Sequence, residues 1–312
     1  MKALIIDQFH KDLHLKLEDQ GLILDDFAYL GRKDLLELPN QYQILIVRSK
    51  TKINPGFLKH FDKIECVARG GAGMDGIDTE YCIEKGITLI NAPEGNRDAV
   101  AEQTIAMTLA WFSNIVSANN EFYNGIWKRE RNRGLEIKGK TIGIVGFGNT
   151  GKEVARRWAS FGAEIITYDI DPSAYDIGLA KPVQLEYLLK ASDVVSIHVP
   201  LLKQNVHMVN HGFLNHLNSS SLLVNMSRGE IIDTKELLLS IAENRLAGAC
   251  LDVIEGEQKG AFPKLSQECM DLLEKCKKKV IVTPHVAGWT NESYQRISQV
   301  LANKITSFIQ SN

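Results

Sequence analysis

Apolar residues along this chain fall into short runs of about four or five, separated by stretches where they recur every three or four positions. Early on, the runs Ala3–Ile6, Ile44–Val47, Cys66–Ala68 and Thr88–Ile90 read as buried strands, with helical stretches such as Thr79–Lys85 between them. A long helix is predicted from about Asp98 to Glu121, where Val100, Ile105, Leu109 and Phe112 lie near helical spacing. A second series then starts, with strands Thr141–Val145, Glu164–Tyr168, Val194–Ile197, Leu222–Asn225, Gly248–Leu251 and Val280–Val282. A last helix follows from about Asn291 to Gln310. The segment Gly256–Lys279 is long for a loop, and Gln267–Lys275 within it suits a helix.

Regular alternation of strand and helix predicts an α/β protein with parallel sheets. The second series supplies six strands, enough for a complete dinucleotide-binding domain. The closing helix comes after the last of them, where only the first domain still lacks a covering element. The chain therefore reads as residues 1–97 plus 287–312 forming one domain, split around an inserted domain, 98–286. A ligand site is expected in the cleft between two such domains.

The first strand of the second series runs into Gly146-Phe-Gly-Asn-Thr-Gly151, and the strand after that ends in Asp169. Gly146 suits a tight turn, Gly148 leaves the backbone bare to a pyrophosphate, and Gly151 lets the following helix pack on the sheet. Asn149 and Thr150 open that helix, whose N-terminal amides and dipole favour an anion. Asp169 is placed to accept hydrogen bonds from a ribose 2′-OH. The next residues, Ile170, Asp171 and Pro172, include no cation that would accept a 2′-phosphate, so NAD is expected over NADP.

Composition narrows the partners. A net charge of −2 gives no reason to expect nucleic acid or an anionic membrane. No apolar run approaches the roughly 20 residues that span a bilayer, and the N-terminus lacks the apolar stretch of a signal peptide. The five cysteines include no CxxC pair, which fits a reducing compartment and supplies no metal site. The cytoplasm is the expected location.

Ligands of open α/β sheets bind beyond the carboxyl ends of the strands. There the sequence places His198-Val199-Pro200, Met226-Ser227-Arg228, Asp252 with Glu257 shortly after, and His285 followed by Gly288. Oxidising a 2-hydroxy acid removes a hydroxyl proton while hydride leaves the adjacent carbon. His285 suits the base, an acid such as Glu257 would fix its tautomer, and Arg228 would fork onto the substrate's negative charge. Each has an ordinary alternative. By type and position alone His285 serves equally as a cap, Arg228 as a donor to loop carbonyls, and Glu257 as a solvated acid. His198 would equally satisfy backbone carbonyls. In the first domain Arg69 and the turn Gly70-Gly71-Ala72-Gly73 follow a strand and form either an anion nest or a plain tight turn.

Taken together, RGGAGMDGID at Arg69–Asp78, GKTIGIVGFGNTG at Gly139–Gly151, HVPL at His198–Leu201, NMSRGEIID at Asn225–Asp233, LDVIEGE at Leu251–Glu257 and TPHVAGWT at Thr283–Thr290 resemble the D-isomer-specific 2-hydroxyacid dehydrogenase family over essentially the full length. The resemblance implies a flavodoxin-like substrate domain split around an inserted NAD-binding Rossmann domain. It implies Arg228, Glu257 and His285 as the catalytic set. The implied cofactor contacts are Gly146, Gly148, Asn149, Thr150, Gly151, Asp169, His198, Val199, Pro200, Met226, Ser227, Asp252 and Gly288. No metal is implied. A homodimer is expected, with a tetramer as the alternative.

The nearest likeness is to members that oxidise a phosphorylated substrate. Val47–Lys52 resembles their first substrate loop, and Gly125–Arg129 the segment that reaches the partner's site. Substrate contacts are then expected from Arg48, Arg69, Gly71, Ala72 and Gly73, with Arg129 or Arg131 donated across the dimer; Lys52 reads as an ordinary surface cation. A simple 2-keto acid, or NAD sensing by a corepressor-like protein, are the alternatives. Three departures stand out: Gly76 for the usual Asn, Gln258 for the usual Pro, and Val206 near a usual Thr. The serine-binding module of longer members is not expected beyond residue 312.

Overall fold

In the computed structural model, which describes residues 1–258 and 261–311, the chain divides into two units. One is Met1–Asp98 with Trp289–Asn312, the other Ala99–Gly288. The first is built on a parallel sheet of β1 (Lys2–Ile5), β2 (Ile23–Asp26), β3 (Ile44–Val47), β4 (Cys66–Arg69) and β5 (Thr88–Asn91), in the order β2-β1-β3-β4-β5. That is the flavodoxin-like order. Alternate residues feed two cores: Ala3, Ile5, Ile44 and Ile46 face one, and Leu4, Ile6, Leu45 and Val47 the other. The closing helix Asn291–Ser311 fills the first of these with Ile297, Leu301, Ala302 and Ile305.

The second unit has β6 (Thr141–Val145), β7 (Glu164–Tyr168), β8 (Lys181–Pro182), β9 (Val194–Ile197), β10 (Leu222–Asn225), β11 (Gly248–Leu251) and β12 (Val280–Val282). They pair in parallel in the order β12-β11-β10-β9-β6-β7-β8. Strands β9, β10 and β11 are buried at every residue, as a sheet covered on both faces requires. Leu222 and Val224 enter one core and Leu223 the other, each such side chain contributing about 1.5–3 kcal/mol of burial. The strand order reverses between β6 and β9, and the glycine turn leaves β6 at that switch point.

Three expectations need correction. The second sheet has seven strands; β8 escaped notice because it is a two-residue edge containing Pro182. β2 was missed for a similar reason, since Ile23–Asp26 is a half-polar edge strand with no buried residue. The single helix over 98–121 is two, Pro93–Phe112 and Ile115–Tyr123. Asn114 breaks it in the left-handed region at φ 52, which Asn tolerates better than most residues, and its amide donates to the Arg133 carbonyl at 3.1 Å. Within Gly256–Lys279, Gln267–Cys276 is helical under a Ser266 cap; residues 259 and 260 lie outside the described set. No helix among the described residues is long and apolar enough to cross a membrane. The five cysteines are buried free thiols, and no group of three or more His, Cys, Asp or Glu side chains among the described residues could hold a metal ion.

Candidate functional site

The turn after β6 is shaped by three different constraints. Gly146 sits at φ +93, and a Cβ there would lie 2.6 Å from the His198 carbonyl oxygen. At Gly151 a Cβ would lie 2.1 Å from the Gly146 oxygen, so the helix Asn149–Ser160 packs on the turn itself. At Gly148 a Cβ would meet nothing within 4 Å; the space there is open. No described residue accepts from the amides of Gly148, Asn149 and Thr150. Open space and unused donors at a helix N-terminus suit a pyrophosphate, so the residues present fit a dinucleotide.

Asp169 closes this cradle. One of its oxygens accepts the Phe147 amide at 2.6 Å and the other the Asp171 amide at 2.9 Å. The Tyr175 hydroxyl donates to the Asp169 carbonyl at 2.8 Å. The carboxylate is thereby fixed against the glycine turn, and each oxygen keeps further lone-pair capacity for a ribose hydroxyl.

His198 donates its amide to Val145 at 2.7 Å, and its Nε2 lies 2.7 Å from the Ser196 hydroxyl. Burial pulls its imidazole down to about 4. A base whose folded value is depressed favours the neutral form, so its contribution is complete above the ordinary value near 6.5 and shrinks as pH falls toward 4. Folding stability is expected to drop by about 2 kcal/mol from this group between pH 7 and pH 5. Urea midpoints of the parent and of His198→Gln at both pH values check this; equal slopes for the two proteins would refute it. Elsewhere along the strand ends, Met226 is buried, Asn205 donates to the Pro200 carbonyl at 2.8 Å, and Val199 packs its side chain toward Gly146. Gly288 closes the turn that follows His285.

The structure brings Glu257 and His285 together, with Nδ1 2.7 Å from the carboxylate. The other Glu257 oxygen accepts the Ile254 amide at 2.8 Å. Burial raises this carboxyl, but the bond and charge of His285, the Ile254 amide and the nearby charge of Arg228 together hold it below its ordinary value. Glu257 is therefore ionised at neutrality. Its contribution to stability is present above the ordinary carboxylate value and is lost only as pH falls through the lowered one. No described residue bonds to His285 Nε2, which leaves that nitrogen open for a substrate proton.

Asn225 and Gly229, given no role from the sequence, help arrange Arg228 beside this pair, together with Ser227. Asn225, fully buried at the end of β10, accepts the Ser227 amide at 2.9 Å and donates to the Arg228 carbonyl at 2.9 Å. The Ser227 hydroxyl donates to Ile197 at 3.0 Å, and Arg228 reaches the Ser227 carbonyl at 2.7 Å. Gly229 then allows contact between loops, since a Cβ there would lie 2.1 Å from the Ile254 carbonyl carbon. Asp252 does a related job for His285. Its carboxylate is 1% exposed and takes the Val286 amide at 2.9 Å, the Ala287 amide at 2.7 Å and the Thr283 hydroxyl at 2.5 Å. His285 itself stands in the left-handed region at φ 55, with its amide on the Asp252 carbonyl at 2.7 Å.

In the first unit, the Gly71 and Ala72 carbonyls are tied to the end of β5 by the Ala92 amide at 3.0 Å and the Asn91 side chain at 2.8 Å. The amides of Gly71, Ala72 and Gly73 have no acceptor among the described residues, and Gly71 is at φ +142. Successive unused amides in a glycine-rich turn suit an anion. Arg69 folds over the turn, its Nη1 2.4 Å from where a Gly71 Cβ would stand. Arg48 is packed among Trp289, Tyr294 and Phe9. Lys52 is exposed. In the second unit Arg129 is exposed, and Arg131 pairs with Glu121 of the same chain at 3.2 Å.

A Rossmann-type sheet with an open phosphate cradle at its switch point defines a dinucleotide-binding α/β protein. The family model described as D-isomer specific 2-hydroxyacid dehydrogenase, NAD binding domain, matches residues 105–287, more than half of the chain, and the protein belongs to that family. The chain is 32% identical to D-3-phosphoglycerate dehydrogenase of Methanocaldococcus jannaschii over 99% of its own length. It spans only 58% of that relative. It is 33% identical to hydroxypyruvate reductase of Thermotoga maritima, covering 89% of this chain and 88% of that one. Among solved structures it is similar to D-lactate dehydrogenase from Aquifex aeolicus complexed with NAD and lactic acid. There the TM-score is 0.81 at 25% identity, over 100% of this chain and 96% of the other.

Proposed function

We propose that the protein is a cytoplasmic NAD-dependent D-2-hydroxyacid dehydrogenase that interconverts 3-phosphoglycerate and 3-phosphohydroxypyruvate, the entry to serine synthesis. The observation that carries the reaction class is the imidazole of His285, tied to ionised Glu257 through Nδ1 and open at Nε2. The turn Gly146–Gly151 and Asp169 would hold NAD, which would supply the hydride acceptor when bound. In oxidation His285 Nε2 takes the substrate's hydroxyl proton, and Glu257 stabilises the imidazolium that results. In reduction the same nitrogen returns the proton. Arg228 neutralises charge on the substrate oxygens and orients the reacting carbon. The open amides of Gly71, Ala72 and Gly73 receive the carboxylate, Arg69 adds positive charge, and Arg48 takes the phosphate.

The relatives support this substrate in part, since phosphoglycerate dehydrogenases match nearly the whole chain. A second reading is hydroxypyruvate or glyoxylate reduction, supported by reductases 33% and 34% identical to the chain. We also propose a homodimer. Phe122, Tyr123 and Trp127 are 59%, 80% and 84% exposed beside the Gly125–Arg129 segment, an apolar cluster that suits burial against a second copy.

NADH-oxidation assays decide between the two substrates. The kcat/KM for phosphohydroxypyruvate is expected to exceed those for hydroxypyruvate and glyoxylate by about tenfold or more, as one extra desolvated ion pair would give. NADH is expected to outperform NADPH. Higher efficiency with glyoxylate would transfer the assignment to the second reading.

A further inference from the structure

We propose that Trp289 and Tyr294 are positioning residues that set substrate specificity: stacked on Arg48, they hold its guanidinium as a receptor for a second anionic group, a phosphate or carboxylate remote from the reacting carbon. This deepens the reading above and rests on it.

Arg48 follows β3, and its amide is fixed by the Asp7 carboxylate at 2.6 Å. Its guanidinium carbon lies 4.6 Å from the Trp289 ring centre, 5.2 Å from Tyr294 and 5.9 Å from Phe9. Three rings thus surround the cation, yet no hydrogen-bond acceptor or carboxylate among the described residues reaches its N–H groups. Rings attract a guanidinium without consuming its donors, which project in the guanidinium plane. The result is a partly desolvated cation with its orientation fixed and its donors unspent. Burial draws Arg48 below its ordinary value, opposed by Tyr294 and Asp7, and an arginine remains charged throughout the accessible pH range.

The neighbouring turn gives the receptor its meaning. A Cβ on Gly70 would stand 2.4 Å from the Phe9 ring and 3.2 Å from the Arg48 stem. The open amides of Gly71–Gly73 therefore follow directly on a glycine packed against the Arg48 stem and against one of the rings around its cation. Two anion receptors side by side in one unit call for a ligand with two anionic groups. Trp289 itself is 64% exposed, so a role in core packing does not explain it. Preorganising a flexible arginine lowers the entropy lost when its anion docks, and removing the stacked ring should appear in KM before kcat.

The test is steady-state kinetics of Trp289→Ala and Trp289→Phe with phosphohydroxypyruvate and glyoxylate. Trp289→Ala is expected to raise KM for the phosphorylated acid about tenfold more than KM for glyoxylate, with kcat changing less than KM. Trp289→Phe, which keeps a ring, is expected to recover most of that loss, and Tyr294→Phe to match the parent because only its ring is used. Equal KM changes for both acids, or Trp289→Phe behaving like Trp289→Ala, would overturn the inference. Arg48→Ala separates it from the reading beneath it. If Arg48→Ala abolishes the preference for the phosphorylated acid and Trp289→Ala leaves it intact, the substrate assignment stands and the stacking role falls. If the parent has no such preference and Arg48→Ala changes nothing, both fall.

Discussion

Replacing His285 by Gln is expected to lower kcat for keto-acid reduction by about 10²–10⁴-fold, the range typical of a lost general acid–base. Gln has similar reach and can still hydrogen-bond to Glu257, but it cannot deliver a proton at Nε2. The glycine turn at Gly146–Gly151 and the Asp169 carboxylate make no bond to His285, so NADH affinity should stay near the parent value. Stopped-flow turnover and NADH fluorescence titration measure the two quantities separately. A kcat loss below tenfold would remove His285 from the chemistry. Equal losses of turnover and NADH affinity would instead point to a collapsed turn. The left-handed backbone at His285 makes Gln a better probe than a β-branched residue, which would add strain of its own.

The second large effect is expected at a residue with no chemistry. A methyl group at Gly229 would stand 2.1 Å from the carbonyl carbon of Ile254, 2.2 Å from its oxygen and 2.5 Å from the Glu255 nitrogen. All three are backbone atoms, so the clash cannot be relieved by a side-chain rotation. The loop carrying Glu257 must move away from the loop carrying Arg228. Gly229→Ala should cost about 1–3 kcal/mol of stability, read as a lowered urea midpoint. It should also reduce kcat/KM by about 10²-fold, the scale of a catalytic group displaced by an ångström. Full activity with only a small stability change would show that the two loops need not touch. Gly148→Ala is the contrasting case, because a Cβ there meets no protein atom and folding should be unaffected.

The fold was legible where burial is two-sided. β3, β6, β7, β9, β10 and β11 have the bounds expected from their apolar runs, because a parallel strand covered on both faces admits few polar residues; the edge strand β12 matches its apolar run without that two-sided burial. Edge strands β2 and β8 escape that rule, and Asn114 breaks a helix by a backbone conformation that periodicity does not register. At the site, short-range patterns could be read from the sequence, whereas several contacts between distant segments could not. The glycine turn and Asp169 declare themselves within thirty or so residues, as the nucleotide fingerprint does in general. Gly229 looked like a loop residue because the backbone it touches comes later in the chain, at Ile254. Trp289 and Tyr294 gave no sign of stacking on Arg48, since only the folded first unit joins the two ends of the sequence. Asp252 stood at the right strand end, but its bonds to Thr283, Val286 and Ala287 reveal what it supports.

The last helix has a consequence for the order in which the molecule is made. Ala3, Ile5, Ile44 and Ile46 share their core with Ile297, Leu301, Ala302 and Ile305. During synthesis the first strands leave the ribosome long before the residues that seal them, and the whole of Ala99–Gly288 emerges in between. The inserted unit can thus complete its own core while its host is still waiting, apolar face uncovered, for the final turns of the chain.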